Sequence, residues 1–196
     1  IRVSDWNNNS SYLNFRIKGT KSQDKIISND GIEILTDQNY EINKNLSVTE
    51  IKRNTFYNDL LLNISYIDDT LDLGEDKDPF RKSLTIKLPH TILDTLELRQ
   101  SFIGRIRDNK ITYINSRKDD SFIYANTSSL GKYTISRDTI KPEIKPINFN
   151  QNSNISNRST LRLRLKDEMS GIKSYNAFIN GKWALFEYEP KLNLIF

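Results

Sequence analysis

The sequence predicts an all-β fold built from β-sandwiches, and three observations carry that expectation. Apolar residues alternate with polar ones almost everywhere, as in Leu13, Phe15 and Ile17 against Asn14, Arg16 and Lys18. Asn180-Gly181 stands between two alternating runs, and both positions tolerate the positive φ of a type I′ hairpin turn. Pro142 and Pro146 interrupt the pattern where a stiff, extended connector between two β units belongs, because proline cannot donate to a central ladder.

The elements follow in order. Tyr12–Lys18 reads as a half-buried strand, and Gly19-Thr20 opens a polar linker through Asp24. Ile32–Leu35 and Leu46–Ile51 read as short strands, and Leu60, Leu62, Ile64 and Tyr66 as one longer strand. Leu84, Ile86 and Leu88 alternate up to Pro89. Ile103–Arg107 and Lys110–Ile114 flank the hairpin signal Asp108-Asn109, and Phe122–Tyr124 and Lys132–Ser136 complete the middle region. Asp94–Gln100 fits a helix by composition and a strand by alternation. Beyond the prolines come Leu161, Leu163 and Leu165, then Ile172–Ile179 and Lys182–Tyr188.

Composition removes several kinds of chemistry. The 196 residues carry 29 basic and 25 acidic side chains, a net charge of +4, mixed along the chain. The densest basic group, Arg99, Arg105, Arg107 and Lys110, is broken by Asp108, so nucleic acid is not an expected partner. There is no cysteine, hence no disulfide, thiol nucleophile or Cys-ligated zinc. No apolar run approaches the roughly 20 residues of a membrane helix.

Two groups of residues are candidate sites. Asp68, Asp69, Asp72, Glu75, Asp76 and Asp78 crowd the loop between two strands, and calcium takes about six to eight oxygens from such carboxylate-rich loops. Their spacing is not that of an EF-hand, and the plainer alternative is a solvated loop guarding a sheet edge. Tyr175, Trp183, Phe186 and Tyr188 gather on the C-terminal hairpin and could stack on a sugar. Alternation puts Trp183 and Leu185 on one face and Ala184, Phe186 and Tyr188 on the other, so one set belongs to a core. His90 is the single histidine, too few for a His-ligated zinc hydrolase, and no Gly-x-Ser-x-Gly elbow accompanies it. No catalytic residue is assigned within this sequence.

Three stretches together resemble a known family. Lys52-Arg53-Asn54-Thr55-Phe56-Tyr57-Asn58-Asp59 is one, and Gly131-Lys132-Tyr133-Thr134-Ile135 through Asp138 to Pro142 is the second. The third is Asp167-Glu168-Met169-Ser170-Gly171-Ile172-Lys173-Ser174-Tyr175 with Asn180-Gly181-Lys182-Trp183 and Glu187-Tyr188-Glu189. This set resembles the C-terminal β region of lysostaphin-type zinc endopeptidases, which cleave peptidoglycan cross-bridges in Gram-negative envelopes. The resemblance implies tandem immunoglobulin-like sandwiches truncated at both ends. Residues 1–20 would be the last strand of a preceding domain, with Asn8 at a usual glycine; residues 21–138 a middle sandwich; and residues 139–196 an incomplete domain. It further implies an extracytoplasmic location and a catalytic domain upstream in the same polypeptide. Zinc would be held there by two His and one Asp, and none of those ligands maps onto this sequence. The expected role is a non-catalytic accessory or spacer segment, with cell wall or glycan as a further partner. The alternative is an adhesin-like or glycan-binding sandwich array with no peptidase.

Overall fold

The computed structural model describes residues 1–16, 31–92 and 94–196. The fold is all-β, and every strand pairing is antiparallel. The chain divides into two compact units, Ile1–Asp30 and Gly31–Phe196. The linker expected over Gly19–Asp24 lies outside the described residues.

In the first unit, β1 (Arg2–Ser4) pairs with β2 (Ser10–Tyr12). Asp5 organises the turn: its Oδ1 accepts the Asn7 and Asn9 amides, each at 2.9 Å, and Oδ2 accepts the Asn9 side chain. These bonds, the Asn9 contacts foremost, hold the Asp5 carboxyl below the usual carboxylate range. Asn8 takes the left-handed geometry expected of it, at φ 67°. Of the strand expected over Tyr12–Lys18, β2 includes only Tyr12 among the described residues, Leu13 and Phe15 are exposed, and Ile17 and Lys18 lie outside the described residues.

The second unit opens with β3 (Ile32–Ile34), β4 (Tyr40–Lys44), β5 (Ser47–Ile51), β6 (Leu60–Leu62), β7 (Ser65–Ile67) and β8 (Thr70–Asp72). Next come β9 (Leu84–Pro89), α1 (Thr95–Gln100), β10 (Ser101–Arg107), β11 (Lys110–Ile114), β12 (Ser116–Lys118), β13 (Phe122–Thr127) and β14 (Lys132–Arg137). Two five-stranded sheets, ordered β11-β10-β14-β8-β7 and β12-β13-β9-β5-β4, form a sandwich, with β3-β6 as a smaller ribbon. Their inward residues make one core: Ile51, Ile86, Leu88 and Ile123 from one sheet, and Leu71, Ile103 and Tyr133 from the other. Leu84, Ile86 and Leu88 are at most 1% exposed, which is what their alternation on a central strand requires.

The alternation from Leu60 to Tyr66 belongs to two strands, not one. Leu62, Ile64 and Tyr66 all reach the same core, but β6 pairs with β3 and β7 with β8. The segment Asp94–Gln100 resolves as helix over Thr95–Gln100, because Asp94 caps it by accepting the Glu97 amide at 2.7 Å.

The remaining strands are β15 (Glu143–Pro146), β16 (Leu163–Lys166), β17 (Ala177–Ile179), β18 (Lys182–Ala184), β19 (Tyr188–Glu189) and β20 (Leu194–Ile195). They form a four-stranded sheet, β15-β16-β20-β19, and the hairpin β17-β18. That hairpin turns at Asn180 and Gly181, with φ 51° and 76°.

Candidate functional site

The acidic loop is the first candidate site, and three of its aspartates, Asp69, Asp72 and Asp76, bind protein groups. Asp76 Oδ2 accepts Arg105 Nη2 at 2.7 Å, and Asp76 Oδ1 accepts the Leu130 amide at 3.0 Å. Asp72 Oδ1 accepts the Gly74 amide at 2.8 Å, and Asp69 Oδ1 accepts the Tyr66 hydroxyl at 3.3 Å. Asp68 and Asp69 form the β7–β8 turn with positive φ. Asp78 precedes Pro79, next to the Phe56–Phe80 ring contact that pins the loop at 4.7 Å. Among the described residues, no three His, Asp or Glu side chains converge as a metal site, and these five aspartates are not brought together.

The segment Lys52–Asp59 is a plug for this loop. Thr55 and Phe56 are buried, and the Thr55 carbonyl accepts the Arg81 and Lys82 amides. Tyr57 is exposed beneath the Arg81 guanidinium, 4.9 Å from its ring centre.

His90 braces a loop through both ring nitrogens. Nε2 lies 2.9 Å from the Asp119 carbonyl, and Nδ1 accepts the Ile92 amide at 3.2 Å. With Nδ1 accepting, Nε2 is the nitrogen placed to donate to the Asp119 carbonyl, so the ring ties the two backbone segments together.

The aromatic group divides as alternation requires. Trp183 is 61% exposed and Leu185 73%, whereas Ala184, Phe186 and Tyr188 are half-buried. Tyr175 meets Tyr188 edge-on at 5.9 Å and donates its hydroxyl to the Phe186 carbonyl at 3.0 Å. Tyr175 and Phe186 border an apolar groove of about 310 Å³ beside Leu163 and Leu165. Trp183 presents much of its ring to solvent and borders, with Tyr175 and Phe186, a second small hollow of about 180 Å³.

Sequence reasoning missed a larger cleft, about 910 Å³, where the sandwich meets the last β segment. Arg99, Phe102, Tyr113 and Lys118 line it on the sandwich side; Ile144, Leu165, Ile172 and Lys173 line it on the other. Asp138 fastens the two sides: its Oδ1 accepts the Ile140 amide and its Oδ2 the Ser170 amide, at 3.2 and 3.1 Å. Asp167 Oδ1 holds the facing turn by accepting the Met169 and Gly171 amides, with Gly171 at φ 78°. The basic residues come from three separate stretches of chain, so no local cluster could have announced them.

The sequence profile of the Zu5-like domain matches residues 33–138, more than half of the chain. The chain belongs to the Zu5-like domain family. No curated protein and no solved structure matches it. The Zu5-like region thus takes in the whole sandwich, with the Asp76–Arg105 pair, the His90 brace and α1. It ends at Asp138, the residue that fastens the joint. Tyr175, Trp183, Phe186 and Tyr188 lie beyond the Zu5-like match.

Proposed function

We propose that this chain is a non-catalytic accessory segment of a secreted or envelope-anchored zinc endopeptidase of the lysostaphin type. It positions or regulates a catalytic domain upstream in the same polypeptide, outside the cytoplasm. Zinc belongs to that upstream domain. The observation that carries the reading is the joint. Two of the stretches on which the resemblance rests, one ending in Asp138 and the other containing Ser170, meet through the Asp138 Oδ2–Ser170 amide bond. A joint fastened this way, with Pro142 stiffening the connector, suits a spacer that sets reach.

The test is peptidoglycan hydrolysis by the parent polypeptide with and without this segment. The reading expects turnover of a short soluble cross-bridge peptide to persist and cleavage of intact walls to fall. A parent without a His-x-His zinc domain overturns it, as does unchanged cleavage of both substrates after deletion.

The exposed Trp183 favours a second reading, a glycan-binding array. A glycan panel that quenches the fluorescence of the wild-type chain but not of Trp183→Ala supports it. No response from either chain sinks it.

A further inference from the structure

The joint cleft has a charge arrangement that the spacer role does not use. Arg99 stands at the end of α1, Lys118 on β12 and Lys173 on the far side. Among the described residues, none of the three pairs with a carboxylate. The two acids of the lining, Asp138 and Asp167, each accept two backbone amides and face the joint and its turn. Lys118 spends one of its three N–H donors on the Arg99 carbonyl at 2.6 Å, which fixes the ammonium at the cleft wall with two donors left. Between the cations the lining carries an apolar stretch, Phe102 against Tyr113 at 5.0 Å with Ile144, Leu165 and Ile172 opposite, flanked by the polar side chains of Gln100, Asn115, Ser116 and Ser174.

We infer that this cleft binds a short acidic peptide segment, its carboxylates held by Lys118, Arg99 and Lys173 and its apolar side chains set on Tyr113, Ile144 and Ile172. Alternating apolar and cationic walls match a peptide, which offers carboxylates and hydrocarbon a few ångströms apart. A polyanionic glycan would leave the apolar half of the lining uncovered. The volume, about 910 Å³, is enough for three or four residues. This inference concerns the cleft alone and does not need a peptidase upstream.

The experiment titrates the chain with N-acetyl-Glu-Leu-Glu and, separately, with N-acetyl-Gln-Leu-Gln-amide, following backbone amide shifts by NMR. The acidic peptide is expected to move the amides of Ser101, Phe102, Ser170 and Gly171, and to lose affinity as salt is raised. Lys173→Gln and Lys118→Met are each expected to weaken it about tenfold. Lys173 is exposed, so its variant keeps the test valid if Lys118→Met perturbs the fold. Equal binding of the two peptides overturns the inference, as do shifts outside the cleft or an affinity unchanged in Lys173→Gln. A stronger response to a sulfated disaccharide at the same amides reassigns the cleft to glycans and overturns it equally.

Discussion

Arg105 on β10 and Asp76 in the acidic loop are joined at 2.7 Å, and the same guanidinium nitrogen donates to the Leu130 carbonyl at 2.9 Å. Asp76 also accepts the Leu130 amide, so one residue of the β13–β14 turn is gripped by both partners. The carboxylate locks the loop, and Arg105, with its side chain only 21% exposed, depends on it. Asp76→Ala leaves that guanidinium without its counterion. The expected loss is about 1–2 kcal/mol in chemical denaturation, the pair being partly solvated. A smaller loss, with the loop amides unmoved, would falsify the lock. Because Asp69, Asp72 and Asp76 are engaged within the protein and, among the described residues, no three acids converge, added calcium is expected to leave the melting temperature unchanged, and a rise of several degrees would restore the calcium site.

Gly181 tests the terminal hairpin. Its φ is 76°, and a Cβ placed there would meet nothing within 4 Å, so the cost of a side chain is conformational rather than steric crowding. Gly181→Val is expected to destabilise β17-β18 by about 1–2 kcal/mol, as a β-branched residue resists left-handed geometry. Faster exchange of the Ile179 and Lys182 amides is the readout. The sandwich amides, Ile86 and Ile123 among them, should be indifferent to the change, and unaltered hairpin exchange would mean the turn does not depend on positive φ.

Tyrosine ionisation sets an upper pH limit. Burial first, then the charge and hydrogen bond of Asp69, push the Tyr66 phenol up to about 12 from 10.0. Burial also raises Tyr133, against the opposing pull of its Thr127 hydrogen bond and the Arg105 charge. The unfolded chain releases these protons near pH 10 while the folded chain keeps them. The native state therefore binds more protons above that pH, and stability falls as pH rises from 10 towards 12. Lys87, raised by its hydrogen bond to Glu50, adds to the fall, and Lys118, lowered by burial, opposes it. Urea midpoints measured at increasing alkaline pH should decline less steeply for Tyr66→Phe than for the wild type. Parallel declines would remove Tyr66 from the account.

How far the fold was legible depends on the range of the signal. Leu84, Ile86 and Leu88 announced a central strand because burial on one face needs only a period of two. Asn180-Gly181 announced its turn because the requirement is a backbone angle at those two residues. The split between β6 and β7 was hidden: Leu62, Ile64 and Tyr66 keep facing one core while the hydrogen bonding moves from one ladder to another, so the alternation continues through the crossover. The acidic loop was legible as a cluster but not in its purpose, since Arg105 and Leu130 are 29 and 54 residues away from Asp76. The cleft was the least legible, as Lys173 comes to face Arg99 and Lys118 only across the joint, more than 50 residues further along the chain.

Asp138 decides how firmly that joint closes. One carboxylate oxygen shapes the connector at Ile140 and the other holds the Ser170 amide, so its removal separates two effects. Asp138→Asn keeps an acceptor for one amide and loses the charge that strengthens both bonds. Asp138→Ala loses both bonds outright. The expected order of Ser170 and Gly171 amide exchange is therefore wild type slowest, Asn intermediate and Ala fastest. Among the described residues the Asp138 side chain hydrogen-bonds to Ile140 and Ser170 and not to the sandwich core centred on Ile103 and Tyr133, which should melt within a degree or two of the wild type. If all three chains exchange alike at Ser170, the joint is held by the apolar packing of Ile144 and Leu165, and Asp138 only ends the sandwich.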